Sequence, residues 1–399
     1  MATVVETYQA SSGILPAYQQ VPETKYDLEW ADLVTLDLSK FDQPGGKEAL
    51  ARQLFDAIRS IGFFYIVNFG LSQEEIDEQF AIGKAIFKLP VEEKLQYRAD
   101  LENGGYNGYK PAGIRQLQPG LYDNTEIYNI PKFIPLFAKL PHPAVITAHK
   151  AQISHFARHI HESIIHKLLV LFAIILELRE DAFTSRHRYE EPSDCHLRYM
   201  YYHRRTPEEN AALNNVWVKG HTDFGSLTLL FRQPVAALQV RSVVVSGNDS
   251  EGEWKWVRPL PGSITVNIAD ALEFLTNGFL KSSIHRVVAP PPDQADINRL
   301  GVLYFLRPED NVELVPVQGS AVLERLGYHD DRDEAARSSA VGITGGEWVR
   351  ARVKAGVGLQ QQSKKETGGG TEEDRTKGGN DRDVSEQEIL KGKTVKYYD

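Results

Sequence analysis

The arrangement of apolar and polar residues divides the chain into a largely helical first part and a strand-rich second part. Residues 33–38 alternate, which predicts a strand, and residues 47–61 repeat apolar positions at spacings of three and four, which predicts a helix. The apolar run at residues 63–67 predicts a buried strand. Residues 72–75 form a Ser-x-x-Glu capping box, which predicts the start of a second helix. A third helix over about residues 144–178 is expected to be the longest element.

The pattern changes near Cys195. From there to about Pro308 the apolar segments are short, alternate with polar residues and are separated by Gly, Pro and Asn at intervals of about ten residues. This spacing predicts an antiparallel sandwich or barrel. Residues 100–143 are rich in Gly and Pro and predict long loops, of which residues 122–128 are expected to add substrate specificity.

These changes predict a flexible N-terminal arm, a mixed helical region packed on the core, the strand-rich core, a helical extension and a mostly disordered tail. Their boundaries are 1–28, 29–190, 191–310, 311–356 and 357–399. The tail is rich in Gln, Gly, Lys, Glu and Asp, and such a segment buries too little apolar surface to offset its ordering entropy. Its last apolar residues, Val395, Tyr397 and Tyr398, are the exception, and whether they dock is left open.

Composition narrows the class of protein. The 399 residues include one cysteine, Cys195, so a disulfide within the chain and a multi-cysteine metal site are both excluded. The formal net charge of -9 is unlike the basic surface of a nucleic-acid-binding protein. The longest apolar stretch, residues 168–176, is shorter than the roughly 20 residues that span a bilayer. Because residues 1–13 show no secretory pattern, we expect a cytoplasmic protein. We also expect a small-molecule substrate rather than a nucleic-acid or membrane partner. The oligomeric state stays open.

A candidate metal site lies in the sequence Gly-His-Thr-Asp that contains His221 and Asp223. Side chains at positions i and i+2 of a strand point to the same face, so these two are expected to project together. The apolar, β-branched segment around His285 predicts a core strand that supplies a second imidazole. Two histidines and one carboxylate form the facial triad of non-haem Fe(II) oxygenases, which leaves coordination positions open for co-substrate and O₂. Each motif alone is weak, since an isolated His-x-Asp is usually an exposed turn.

A buried arginine is predicted downstream of the second histidine. Residues 298–305 alternate, and this places Arg299 on the face that points into the barrel. A buried, unpaired guanidinium is costly, so Arg299 requires either a protein carboxylate or a bidentate carboxylate ligand. Tyr202, on the alternating strand of residues 197–202, is able to offer its hydroxyl to the same carboxylate.

Together these motifs resemble those of the 2-oxoglutarate- and Fe(II)-dependent dioxygenases of the isopenicillin N synthase-like superfamily. The resemblance covers about residues 30–310. It rests on segments that follow the family's order: residues 33–38, 61–68, 87–94, 220–230, 238–240, 266–270 and 281–287. It implies a mainly β fold with flanking helices and a double-stranded β-helix (jelly-roll) core.

The resemblance also implies roles for individual residues. His221, Asp223 and His285 are expected to bind Fe(II), and Arg299 and Tyr202 are expected to hold the distal carboxylate of 2-oxoglutarate. With O₂, such an enzyme hydroxylates, desaturates or cyclises a small organic molecule and releases succinate and CO₂.

One residue departs from the family pattern. The family usually has Arg-x-Ser, and Gly301 stands in place of the serine, which removes a hydrogen bond worth about 1 kcal/mol to the co-substrate. Two alternatives therefore stay open: an isopenicillin N synthase-like oxidase that does not use 2-oxoglutarate, and a catalytically silent binding protein on the same scaffold.

Three further residues are candidates for substrate contact. By strand alternation Arg198 and Met200 share a face with Tyr202, so Arg198 is a candidate anchor for a polar or acidic substrate; a salt bridge near the rim is the alternative. Phe224 follows the triad aspartate and is a candidate pocket wall. The long C-terminal extension is similar to that of fungal members of the superfamily, many of which modify secondary metabolites.

Overall fold

Two main β-sheets and flanking helices make up the part of the chain that the computed structural model describes: residues 15, 17–241, 252–328, 342–366, 384–390 and 393–398. The strands are β1 Thr35–Asp37, β2 Phe63–Val67, β3 Gly108–Lys110, β4 Gln116–Gln118, β5 Leu121–Tyr122, β6 Thr125–Pro131, β7 His196–Tyr202, β8 Val216–His221, β9 Leu227–Phe231, β10 Leu238–Arg241, β11 Trp254–Trp256, β12 Ile264–Ile268, β13 His285–Val288, β14 Arg299–Leu306, β15 Val384–Leu390 and β16 Lys393–Tyr398. The helices are α1 Gly46–Ser60, α2 Gln73–Lys88, α3 Val91–Leu95, α4 Ala144–Ala148, α5 Lys150–His159, α6 His166–Ile175, α7 Asp181–Thr184, α8 Pro207–Ala212, α9 Asp270–Leu275, α10 Ala321–Arg325 and α11 Gly345–Glu366.

Successive strands of the second half alternate between the two sheets. The larger sheet has the order β1-β2-β12-β9-β14-β7-β6-β3, and the smaller sheet has the order β11-β10-β13-β8-β16-β15. From β7 to β14 the chain therefore crosses between the sheets at each step except β10 to β11, which pair with each other. This is the double-stranded β-helix that the resemblance implies. The antiparallel sandwich predicted from the strand spacing is confirmed.

Apolar side chains on one face of the larger sheet pack against the helices of the first part of the chain. Leu229, Val266 and Val302 of β9, β12 and β14 share one core with Leu168 and Phe172 of α6. Helix α6 is apolar on nearly every side, which is typical of a helix buried all round. The alternate side chains of the same strands point the other way and line a cavity between the two sheets.

The elements predicted at the start of the chain are confirmed with small shifts. Strand β2 has the predicted limits, and α1 begins one residue before its predicted start. Helix α2 opens with the predicted capping box: the backbone N–H of Glu75 donates to Ser72 Oγ (3.2 Å), and the backbone N–H of Ser72 donates to Glu75 Oε2 (2.8 Å). Local sequence patterns therefore fix these boundaries.

The prediction of loops over residues 100–143 is wrong in part. Residues 125–131 form β6, which is buried along its whole length and pairs antiparallel with β7. The predicted specificity loop, residues 122–128, thus lies largely within a sheet. The apolar alternation is interrupted by Glu126, a charge that a strand interior does not usually contain. Its carboxylate is neutralised by Lys94 Nζ at 2.5 Å, and such pairing allows a buried charge to be tolerated.

The prediction of helix over residues 144–178 is confirmed for most of the segment, but the prediction that it forms one long helix is wrong. The segment breaks at His149, whose backbone leaves the helical region (φ −108°, ψ 20°) and whose Nδ1 lies 2.9 Å from the Val145 carbonyl oxygen. This contact occupies one of the last carbonyls of α4, as a C-terminal cap does. A π-helical turn, Ile160–Ile165, then separates α5 from α6. Among the described residues α11, with 22 residues, is the longest helix.

The C-terminal part contains more regular structure than the sequence indicates. Helix α11 continues ten residues past the predicted end of the helical extension at residue 356. Strands β15 and β16 form an antiparallel pair, and Tyr398 of β16 pairs with Gly220 of β8. Ile389 and Leu390 pack on an apolar cluster of the core, so the end of β15 contacts the core through its apolar residues.

Parts of the predicted segments lie outside the described residues: residues 1–14 and 16 of the arm, 242–251 of the core, 329–341 of the helical extension, and 367–383, 391–392 and 399 of the tail. The remainder of the arm is attached to the barrel: Thr24 Oγ1 donates to Asp293 Oδ1 at 2.8 Å. Within the described residues no helix combines the length and the apolar character needed to cross a membrane.

Candidate active site

Three side chains converge at the mouth of the barrel. His221 is the last residue of β8 and His285 the first of β13, and the two are paired in register, with ring centroids 4.4 Å apart. Asp223 follows just after the end of β8, and its Oδ2 lies 3.8 Å from His285 Nε2. Ligand atoms of all three side chains lie within 4.8 Å of one another. This separation suits a single ion with ligand bonds of about 2 Å.

Hydrogen bonds to the backbone orient both imidazoles. Nδ1 of His221 lies 2.9 Å from the Lys219 carbonyl oxygen, and Nδ1 of His285 lies 3.1 Å from the Ser283 carbonyl oxygen. An Nδ1–H donated to a carbonyl leaves Nε2 as the lone-pair donor, as in metal-bound histidines. Desolvation in the site lowers the pKa of His221 to about 4, and the neighbouring His285 acts in the same direction. The imidazole of His221 is therefore neutral and able to act as a ligand.

Asp223 is buried, and two neighbours hold its carboxylate. Thr228 Oγ1 donates to Oδ2 at 2.7 Å, and Asn267 Nδ2 donates to the same oxygen at 3.1 Å. Burial by itself raises the pKa of Asp223, but the two histidines and these hydrogen bonds outweigh it and hold the pKa below its usual range. The carboxylate is thus ionised. Thr228 and Asn267 were not singled out from the sequence, although both lie in segments that carry the family resemblance.

A narrow cavity of about 100 Å³, here called the inner cavity, runs from the triad between the two sheets. Arg299 and Tyr202 line it and face each other across the β14–β7 pair, with the guanidinium carbon 5.1 Å from the tyrosine ring centroid. The orientation predicted for Arg299 is confirmed. Arg299 is 4% exposed, and among the described residues its Nε has no hydrogen-bond partner and its guanidinium has no ion-pair partner. The alternative of a neutralising protein carboxylate finds no support in this part of the chain.

The backbone at Gly301 approaches apolar side chains of the inner cavity. A Cβ at this position would lie 3.3 Å from Leu303 Cδ1 and 3.9 Å from Leu230 Cδ1, and both leucines line the cavity. The absence of a side chain at Gly301 therefore leaves a small space next to Leu303 in the inner cavity, on the same strand as Arg299. A serine would fit if Leu303 moved by a few tenths of an ångström.

A second and larger cavity of about 570 Å³, here called the outer cavity, opens on the other side of the triad. The predicted substrate residues Arg198, Met200 and Phe224 all line it, and Arg198 and Met200 line the inner cavity as well. About half of the other lining residues are apolar: Leu101, Tyr106, Ile114, Leu117, Ile127, Leu213, Val216, Trp217, Val218, Phe305 and Val353. The salt bridge considered for Arg198 is not found among the described residues.

Helix α11 contributes a residue that the sequence did not indicate. Arg352 Nη1 lies 3.1 Å from Asp270 Oδ2, and Arg352 Nη2 donates to the Thr222 carbonyl oxygen at 3.0 Å. The backbone N–H of Asp270 in turn donates to the Asp223 carbonyl oxygen at 2.9 Å. The turn that carries the triad aspartate is thus fixed by the C-terminal helix. No local pattern links positions 130 residues apart.

A jelly-roll core with two imidazoles and a carboxylate at its mouth defines a class of mononuclear non-haem iron enzymes. Sequence comparison agrees. Residues 33–149 match the family described as the N-terminal domain of non-haem dioxygenase in morphine synthesis, and residues 193–308 match the 2OG-Fe(II) oxygenase superfamily.

Individual proteins are also similar over most of their length. The 2-oxoglutarate-dependent dioxygenase frbH of a Dothideomycetidae species is 31% identical over 322 residues, which is 77% of this chain and 92% of that protein. A crystal structure of a putative 2OG-Fe(II) oxygenase family protein from Caulobacter crescentus is 26% identical, with a TM-score of 0.66, and covers 82% of this chain and 99% of that one. JOX2, solved with 2OG, Fe and JA, is 25% identical, with a TM-score of 0.56, and covers 77% and 84%.

The chain belongs to the 2OG-Fe(II) oxygenase superfamily. It is a non-haem dioxygenase that uses Fe(II), 2-oxoglutarate and O₂ to oxidise a small organic molecule, with release of succinate and CO₂. The similarity to relatives named as 2-oxoglutarate-dependent dioxygenases favours this activity over both alternatives, the oxidase that does not use 2-oxoglutarate and the silent binding protein.

Proposed function

We propose that His221, Asp223 and His285 hold the ferrous ion and that Arg299 and Tyr202 hold the distal carboxylate of 2-oxoglutarate. The reaction is hydroxylation, desaturation or cyclisation of a small substrate in the outer cavity. The convergence of the three ligand side chains within 4.8 Å carries this assignment.

The donor set suits Fe(II). Two neutral imidazoles and one carboxylate leave a ferrous site with residual positive charge, which favours an anionic chelator. His221 and Asp223 line both cavities, so a bound ion is reached from the inner and the outer side alike. Co-substrate and substrate therefore have separate routes to the same centre.

The inner cavity suits a short dicarboxylate. The buried cation of Arg299 lines this cavity, and so do the triad residues. A dicarboxylate that chelates a metal at the triad with one end therefore finds Arg299 as the partner for its other carboxylate. A bidentate contact with the guanidinium of Arg299 would give its Nε–H, which has no hydrogen-bond partner among the described residues, an acceptor.

The chain's own contribution is placement and exclusion of water. When bound, the iron and 2-oxoglutarate together activate O₂, and this chemistry belongs to the cofactors. Phe63, Val218 and Leu238 form apolar walls of the inner cavity and reduce the polar surface that could hold water there. The outer cavity has the volume of a typical small-molecule site. A role in secondary metabolism within the cytoplasm is part of this proposal.

Succinate release tests the proposal. We expect the purified chain, supplied with Fe(II), 2-oxoglutarate and air, to release succinate faster in the presence of at least one member of a small-molecule library. His285→Ala should abolish the release, whereas His155→Ala, which alters an exposed histidine of α5, should not. Release that is independent of His285 would contradict the assignment.

A further inference from the structure

Arg198 is a buried cation whose hydrogen-bond partners are neutral. Its side chain is 6% exposed and its guanidinium lies between two aromatic rings, 4.7 Å from the Tyr106 centroid and 4.2 Å from the Phe305 centroid. Nε donates to Asn129 Oδ1 at 2.8 Å, and Nη2 donates to His196 Nε2 at 3.2 Å. These contacts fix the plane of the guanidinium but do not balance its charge.

The histidine beside Arg198 does not supply that charge either. Nδ1 of His196 lies 2.8 Å from the Asp194 carbonyl oxygen, and burial holds the pKa of His196 well below its usual range. The imidazole is therefore neutral and accepts from Arg198 through Nε2. Asp194 interacts electrostatically with Arg198, but more strongly with Arg307, whose guanidinium nitrogens have no hydrogen-bond partner among the described residues. Two cations thus share one carboxylate without a direct ion pair to either.

Two of the other cations at the outer cavity are paired with carboxylates. Lys110 Nζ contacts Asp123 Oδ2 at 2.6 Å, and Arg352 contacts Asp270. Arg198, by contrast, lines both cavities next to the triad and has no ion-pair partner in the described part of the chain. Because an uncompensated buried charge is costly, the site needs an anion at this position.

We infer that the substrate is a small molecule with an apolar body and a carboxylate-type anion, and that Arg198 binds this anion. The apolar walls of the outer cavity receive the body of the molecule. The inference rests on the proposed function, since it names the substrate class of the same site. The co-substrate has its own buried cation in Arg299, on the strand next to β7.

Matched pairs of acids and amides test the inference. Phenylacetate, cinnamate and octanoate are compared with their primary amides by thermal melting of the anaerobic Fe(II)- and 2-oxoglutarate-loaded chain. In the wild-type chain we expect each acid to raise the melting temperature more than its amide. Arg198→Gln should reduce the preference for the acid by about 30-fold in Kd, the lower range for loss of one partner of a buried charge pair.

Two variants make the test specific. Arg198→Lys keeps the charge and should retain part of the acid preference, which keeps the test valid if Arg198→Gln does not fold. Arg204→Gln makes the same charge change at an exposed, Asp296-paired arginine just after β7 and should leave the preference intact.

The outcomes separate three possibilities. Loss of acid preference in Arg198→Gln, with stabilisation by 2-oxoglutarate retained, supports the inference. Equal binding of acids and amides by the wild-type chain overturns it. Loss of stabilisation by 2-oxoglutarate with the acid preference intact also overturns it, because Arg198 would then serve the co-substrate. An acid preference without any response to Fe(II) and 2-oxoglutarate would support the anion site and contradict the proposed function instead.

Discussion

The inner and outer cavities meet at the same triad but are built from different parts of the chain. Every residue that lines the inner cavity except Asp223 lies on a strand of the larger or the smaller sheet. The outer cavity adds residues from the segment 101–127, from the connection before β8 and from α11. Except for Asp223, the residues proposed to hold iron and 2-oxoglutarate thus stand on paired strands, whereas the outer cavity combines Arg198 and Met200 of β7 with side chains from loops and a helix outside the two main sheets.

The triad aspartate is common to both cavities, so its loss should have the largest effect. Asp223→Ala should lower Fe(II) affinity by more than about 100-fold, because changes to groups that merely support a ligand already cost about 10- to 100-fold. Equilibrium dialysis of Fe(II) under anaerobic conditions measures this. Asp296→Ala, at an exposed aspartate, is the control, and equal losses in the two variants would refute the assignment.

Arg299→Gln should damage the inner cavity alone. Removal of a buried cation that binds a carboxylate should raise the Kd for 2-oxoglutarate by about 30-fold or more and leave the affinity for Fe(II) unchanged. Titration of the Fe(II)-loaded chain with 2-oxoglutarate measures the effect, with Arg204→Gln as the matched surface variant. If 2-oxoglutarate binds Arg299→Gln as tightly as wild type, the inner cavity does not hold the co-substrate.

Arg352→Gln tests whether the C-terminal helix acts on the metal site. It leaves Asp270 buried without its partner, which should destabilise the fold by about 3–5 kcal/mol. It also releases the Thr222 carbonyl, so Fe(II) affinity should fall by about 10-fold. Arg350→Gln, at an exposed position of the same helix, is the comparison. A lower melting temperature with unchanged Fe(II) affinity would show that Arg352 has only a structural role.

Gly301→Ser should have the smallest effect on ligand binding and, unlike the other variants, should strengthen it. A serine hydroxyl beside Arg299 would add one hydrogen bond to 2-oxoglutarate, worth about 1 kcal/mol. This should lower the Kd for 2-oxoglutarate by about 5-fold. Gly301→Ala measures the steric effect of the Cβ near Leu303 alone. If the serine variant binds no better than the alanine variant, the hydrogen bond is not formed.

The sequence predicts the inner cavity better than the outer one for a physical reason. The alternation of side chains along β14 is a property of the backbone, and it correctly placed Arg299 inside the barrel. The same argument brought His221 and Asp223 together, although the strand ends at His221 and the aspartate lies in the turn after it.

What could not be predicted depends on packing between distant segments. Strand β6 contains a buried Glu126 whose carboxylate is held by Lys94, 32 residues away, together with Tyr109 and His203. The contact of Arg352 with the triad turn arises where a C-terminal helix returns to the barrel mouth. Neither relation leaves a periodic pattern in the chain.

Anaerobic titration of the chain with Fe(II), followed by 2-oxoglutarate, tests the central assignment most directly. A charge-transfer absorption band should appear when 2-oxoglutarate chelates the bound ion, and it should saturate at one iron per chain. The band should be absent in Asp223→Ala and require much more 2-oxoglutarate in Arg299→Gln. A band that persists unchanged in both variants would contradict the account.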